Sequence, residues 1–131
     1  GTILHGTEAV LATTESKVPW STIMIRKSFG VAAAAHYGPD AYVLAWPSAE
    51  SGPLPLEGGV AVAFKKEIAS AKNPEAKRKE LEEKMAKNQS PFPRAEAFSV
   101  HEIIDPRETR KYIALWAERI QSQLKASLMN R

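Results

Sequence analysis

The hydrophobic pattern changes period several times along the chain, and each change marks a predicted element. Residues 21–25, STIMI, are an apolar and β-branched run after Pro19, the pattern of a short strand buried on both faces. Arg26 and Lys27 break the run, Gly30 supplies a turn, and the small apolar residues 31–35 open a helix. Residues 42–46, YVLAW, form a second buried strand stopped by Pro47. Helical spacing governs other stretches. Residues 1–16 read as a short amphipathic helix with Leu4, Val10 and Leu11 among its apolar positions, although Gly6 weakens it. Residues 60–71 place Val60, Phe64 and Ile68 on one helical face, and the last helix carries a stripe of Tyr112, Leu115, Trp116, Ile120 and Leu124. Such a stripe packs into a core or a subunit interface.

Punctuation residues set the boundaries. Asn73-Pro74-Glu75 starts a helix, with Asn as N-cap and Pro at the first helical position. That helix, PEAKRKELEEKMAKNQ, is mostly charged, with Leu81 and Met85 as a thin apolar seam. Its pairs Glu75/Lys79, Glu80/Lys84 and Glu83/Lys87 have the favourable i,i+4 order. Asp105-Pro106-Arg107-Glu108 is a capping box ahead of the last helix. Residues 36–40 are a turn. Residues 48–59, interrupted by Gly52, Pro53, Pro55, Gly58 and Gly59, read as an irregular loop, either functional or a plain connector. Residues 90–94, SPFPR, are expected to be an extended link because of their two prolines. Residues 97–104 hold a short strand with His101 and Glu102 near its middle.

The candidate chemistry centres on residues 18–35. A strand, a glycine turn and a helix start aim backbone N–H groups at one point, which suits an anion or a developing oxyanion, although plain α/β connections share the pattern. Small side chains from Ala32 to Ala35 let a ligand approach the backbone closely. His5 and His101 read as structural rather than as ligands, and no metal site is expected.

Composition narrows the choice of function. The 131 residues make at most one ordinary domain, with a globular balance of apolar and charged positions. A net charge of +3, with lysines interleaved among glutamates, argues against nucleic acid. The absence of cysteine excludes disulfides and thiolate metal sites and fits a reducing compartment. No apolar run has the length of a membrane span and no signal peptide is visible, so a cytoplasmic location without membrane contact is expected. H-E-x-x-H, P-loop, G-x-S-x-G and paired-carboxylate patterns are missing. The chain opens Gly-Thr-Ile-Leu without a methionine and offers three strands at most, so a piece of a longer protein is expected.

Four segments, taken in order, resemble the end of the carboxyltransferase β subunits of biotin-dependent acyl-CoA carboxylases, such as the propionyl-CoA and methylcrotonyl-CoA enzymes. They are the strand leading to Arg26-Lys27-Ser28-Phe29-Gly30, then Trp46-Pro47-Ser48-Ala49-Glu50, then Asn88 to Pro93, and Ile104-Asp105-Pro106 with Thr109-Arg110. The resemblance covers nearly the whole chain. It implies a crotonase-like α/β fold, present as a partial domain, with residues 1–131 forming the C-terminal portion of the second carboxyltransferase half. The implied reaction moves a carboxyl group from carboxybiotin to the α-carbon of an acyl-CoA, using N–H donors rather than a side-chain acid or base.

The family motif Arg-Lys-[Ala/Ser]-Tyr-Gly-Gly-Ala falls on Arg26 to Ala32, which implies the N–H groups of Val31 and Ala32 as the biotin-side oxyanion hole. Gly30, Ala33 and Ala34 are implied as substrate-binding residues. Val31 replaces a family glycine, and Ala33 and Ala34 stand where relatives carry bulkier or polar residues. Biotin would be carried on another domain or subunit, because no Ala-Met-Lys-Met attachment motif occurs here. The implied partners are the acyl-CoA substrate, a biotin carboxyl carrier, a biotin carboxylase and further copies of the subunit as a trimer of dimers. Two alternatives stay open: a decarboxylase or transcarboxylase of the same fold, and a catalytically silent assembly piece.

Overall fold

In the computed structural model, which describes residues 1–38 and 40–129, every strand pairing is parallel. Parallel partners need a crossover between them, and the chain order supplies one each time. Helix α1 (Thr2–Thr14) precedes β1 (Ser21–Met24), and β2 (Lys27–Phe29) runs straight into α2 (Gly30–Ala34). Then come β3 (Tyr42–Ala45), β4 (Glu50–Gly52), α3 (Leu56–Ala63), α4 (Lys65–Ser70), α5 (Pro74–Gln89) and α6 (Pro91–Glu96). Strand β5 (Glu102–Ile103), a 3₁₀ turn (Pro106–Glu108) and α7 (Thr109–Met129) follow. One sheet has the order β1-β3-β5 and a smaller one pairs β2 with β4.

The core lies where these sheets meet α6. Met24, Val43, Ala45, Ala49 and Val100 pack together, with Tyr37, Ala95 and Ile103 against them. Strand β3 is central in its sheet, and Leu44 and Ala45 are wholly buried. His101 closes the edge of this sheet: Val43 donates its N–H to Nδ1 (3.0 Å), and the His101 N–H returns to the Val43 carbonyl (2.8 Å). Its role is structural, as the sequence suggested. The helix start at Asn73 forms as expected, Asn73 Oδ1 accepting from the Ala76 N–H. Asp105 instead caps a 3₁₀ turn ahead of α7 through the Arg107 N–H, and Glu108 pairs with Lys111 instead of closing a capping box.

Several expectations need correction. Residues 90–94 are not extended: Ser90 caps α6 and Pro91 occupies its first position. Both prolines lie in the first turn, where a helix has no use for the missing N–H. Residues 48–59 are not an irregular loop, because β4 pairs with β2 inside them and α3 begins at Leu56. The helix of residues 60–71 is broken at Phe64, whose backbone (φ −110°, ψ 22°) leaves the helical region. Strand β1 buries only Met24 fully, and Ile25 is exposed. Helix α1 forms but buries none of its residues. Among the described residues the ion pairs of α5 are Lys77–Glu80, Lys77–Glu67 and Arg78–Glu82 rather than the three expected pairs. The turn at residues 36–40 includes Pro39, which lies outside the described residues.

Candidate oxyanion site and its cleft

Strand β2 enters α2 without a connecting loop, and Gly30 makes this possible. Phe29 is still extended (φ −127°, ψ 148°), and Gly30 turns the chain with φ +70°. A side chain would strain that left-handed conformation, although a Cβ would only touch the Pro53 carbonyl oxygen at 3.7 Å. Glycine is therefore required for its backbone and not for space. Val31 and Ala32 follow in the first turn of α2, where a helix provides no internal carbonyl for its N–H groups. Val31 is 73 % exposed, so its β-branched side chain points to solvent.

A cleft of about 420 Å³ opens beside this turn. Gly30 and Ala33 line it, together with Met24, Ser28 and Gly52 from the sheets, Tyr37 after α2, and Arg94 and Ser99 around α6. The structure thus brings Gly30 and Ala33 into one cavity, while Val31 and Ala32 stand at the adjoining turn and not in its lining. Ala34 belongs to α2, but its side chain lies outside the described residues.

Arg94 is the residue that sequence reasoning missed. Its carbonyl accepts the N–H groups of Ser99 (2.9 Å) and Val100 (3.3 Å) and the Ser99 hydroxyl (3.0 Å). Its guanidinium donates to the hydroxyl of buried Ser51. The missed signal was Ser90-Pro91, an N-cap followed by proline like Asn73-Pro74, which turns SPFPR into a helix and aims Arg94 inward. Glu50 also gains an anchor there, its N–H donating to the Arg26 carbonyl (2.8 Å), so the WPSAE segment extends the β2 pairing.

A second polar cluster lies away from this cleft. The Tyr42 hydroxyl donates to Glu102, and Tyr112 lies near the same carboxylate. Burial, with the Glu102 carboxylate as the next contributor, pushes the Tyr42 phenol up to about 12. The charge of Glu102, then its hydrogen bond, raises Tyr112 as well. This cluster joins the sheet to α7, as does the hydrogen bond from Trp46 Nε1 to Thr109 Oγ1 (2.9 Å). Among the described residues no group of three His, Asp or Glu side chains is arranged to hold a metal ion, and no helix is long and apolar enough to cross a membrane.

With this geometry established, comparison with known proteins identifies the family. The methylmalonyl-CoA carboxyltransferase 12S subunit of Propionibacterium freudenreichii subsp. shermanii is 40% identical over 119 residues, which cover 87% of this chain and 22% of that protein. The carboxyltransferase subunit of a propionyl-CoA carboxylase from Haloferax mediterranei is 32% identical over 131 residues, 96% of this chain and 25% of its own length. Among solved structures, a transcarboxylase 12S hexamer with methylmalonyl-coenzyme A and methylmalonic acid bound superposes with a TM-score of 0.80 at 37% identity, covering 92% of this chain and 24% of that one. The chain therefore spans about a quarter of the length of the relatives it matches. The fold is the crotonase-like α/β fold, present as a partial domain. A strand-to-helix turn at a left-handed glycine, set in a parallel α/β core and matched from residue 1 to 130 by the carboxyl transferase domain model, places this chain in the carboxyl transferase domain family.

Proposed function

We propose that this chain supplies the biotin-side oxyanion site of an enzyme that moves a carboxyl group between biotin and the α-carbon of an acyl-CoA. The observation that carries the reading is the turn at Gly30, whose φ of +70° starts α2 directly from β2 beside an open cleft. The N–H groups of Val31 and Ala32 are the donors in this reading, and Gly30, Ala33 and Ala34 border the substrate. Carboxybiotin, carried by another domain or subunit, supplies the carboxyl group.

The residues present fit such a group. Its ureido ring is small, flat and neutral, and the wall formed by Gly30, Ala33 and Gly52 offers backbone and methyl groups rather than bulk. Two backbone donors would share the charge that grows on the ureido oxygen, each worth about 3 kcal/mol in a site of this kind. Neither needs a proton transfer, in keeping with a cleft whose lining, among the described residues, contains no carboxylate and no imidazole. The relative crystallised with methylmalonyl-coenzyme A supports a carboxylated acyl-CoA as one of the two reacting partners. Assembly with further copies of the subunit, a biotin carrier and a biotin carboxylase completes the reading, which places residues 1–131 at the end of the second carboxyltransferase half.

The test is Val31→Pro in the full-length subunit. Proline removes one N–H yet is accepted in a first helical turn, so folding should survive. Carboxyl transfer is expected to slow about a hundredfold or more at unchanged circular dichroism. Full activity in a folded Val31→Pro variant would remove Val31 from the site. A wild-type subunit that assembles but transfers no carboxyl group would favour a silent assembly piece instead. The isolated chain is expected to show no turnover.

A further inference from the structure

Arg94 brings a positive charge into the cleft beside Gly30. It is the one charged residue in the cleft lining among the described residues, and none of their carboxylates pairs with it. The residue is fixed at both ends, by three donors on its carbonyl and by Ser51 at the guanidinium. A guanidinium has five N–H donors, and Ser51 accepts from one nitrogen only. Close by, Tyr37 gives its hydroxyl proton to the thioether sulfur of Met24 (2.9 Å), a weak acceptor. The cleft thus holds a preset cation and a hydroxyl that would gain by exchanging sulfur for an anionic oxygen.

We propose that Arg94, assisted by Tyr37, binds the carboxylate in transit and so separates the carboxylated from the uncarboxylated partner. The inference rests on the carboxyl-transfer reading. A planar guanidinium matches a carboxylate with two parallel N–H···O bonds, and half-buried surroundings strengthen them relative to water. The uncarboxylated thioester offers nothing comparable at this place. Arg94 therefore favours whichever species holds the carboxyl group, on the biotin nitrogen or on the acyl α-carbon.

Arg94→Gln and Arg94→Lys in the assembled full-length subunit test this, with propionyl-CoA and methylmalonyl-CoA as probes. Arg94→Gln is expected to weaken a carboxylated partner, methylmalonyl-CoA or the carboxylated carrier, tenfold or more while propionyl-CoA stays within twofold. Arg94→Lys keeps the charge without the fork and should fall between wild type and Arg94→Gln. Tyr37→Phe should weaken the same partner alone by a smaller factor. A rise in KM confined to the carboxylated carrier locates the carboxylate on the biotin side, and a loss confined to methylmalonyl-CoA locates it on the acyl side. Equal weakening of both thioesters, or no change in the thioesters and the carrier, overturns the proposal. If Arg94→Gln fails to fold, Arg94→Lys decides, because unaltered discrimination with a guanidinium-free side chain also overturns it. Val31→Pro separates the two readings: it should slow transfer without altering the preference for the carboxylated thioester. A wild-type subunit with no transfer activity removes both.

Discussion

The central sheet and the last helix both carry apolar runs, yet they spend them differently. In β3, Leu44 and Ala45 are wholly buried, and parallel partners on either side complete the backbone bonding. Helix α7 keeps Leu115 exposed and Trp116, Ile120 and Leu124 only half-buried along a groove of about 310 Å³ shared with Val18 and Pro19. It is tied to the sheet near its start, through Trp46–Thr109 and the tyrosines around Glu102. Helix α1 goes further, with Ile3 87% exposed. An apolar stripe thus defines which face of an element wants covering. It does not say whether this chain provides the cover.

The largest effect should come from one substitution made in both regions. Leu44→Ala is expected to cost about 2–5 kcal/mol, since a fully buried leucine loses its contacts and leaves a cavity. Leu115→Ala in this chain should cost under about 1 kcal/mol, both measured by urea unfolding. Equal costs in the full-length protein would show that α7 is covered there.

Next in size is Gly38→Ala. A Cβ at Gly38 would lie 2.0 Å from the Trp20 ring, which is itself held by a hydrogen bond from Nε1 to Ser16 (3.2 Å). The ring must move, and a loss of about 1–3 kcal/mol is expected, with a change in tryptophan fluorescence as a second readout. Unchanged stability and fluorescence would mean that the Trp20 ring is not held against Gly38.

A smaller effect concerns the junction of the two regions. Tyr42 titrates near 12 in the fold and near 10 when unfolded, so the folded chain keeps a proton that the unfolded chain loses. Stability should be complete below about pH 10 and fall as pH rises toward 12. Tyr42→Phe should flatten that fall, as followed by denaturant midpoints at pH 9 and pH 11. An equally steep fall in the variant would place the effect on other groups.

The smallest expected change is at Phe98, which is left-handed (φ 57°) and 89% exposed. Phe98→Gly relieves the backbone without losing packing, against the greater freedom of an unfolded glycine, so stability should rise by up to about 1 kcal/mol. A clear loss would show that the phenyl ring has a partner in the intact protein.

By itself the sequence determined the local pieces: the strands around Ile23 and Leu44, the helix starts at Asn73 and Asp105, and the glycine turn at Gly30. Each follows from a period or a cap acting over a few residues. The family was legible too, through four short segments in a fixed order. What the tertiary structure alone decided was partnership. Strand β2 exists because β4 pairs with it across some twenty residues, and neither KSF nor ESG has an apolar alternation to announce it. The prolines of SPFPR allow two conformations; the Ser90 cap favours the helix locally, and packing of Pro91 and Ala95 into the interior fixes it. Arg94 became a candidate through that choice, since a residue on an extended link has no fixed direction. Hydrogen-bond and apolar periods are local properties. Which charge meets which cavity depends on contacts between distant segments, and no local pattern encodes them.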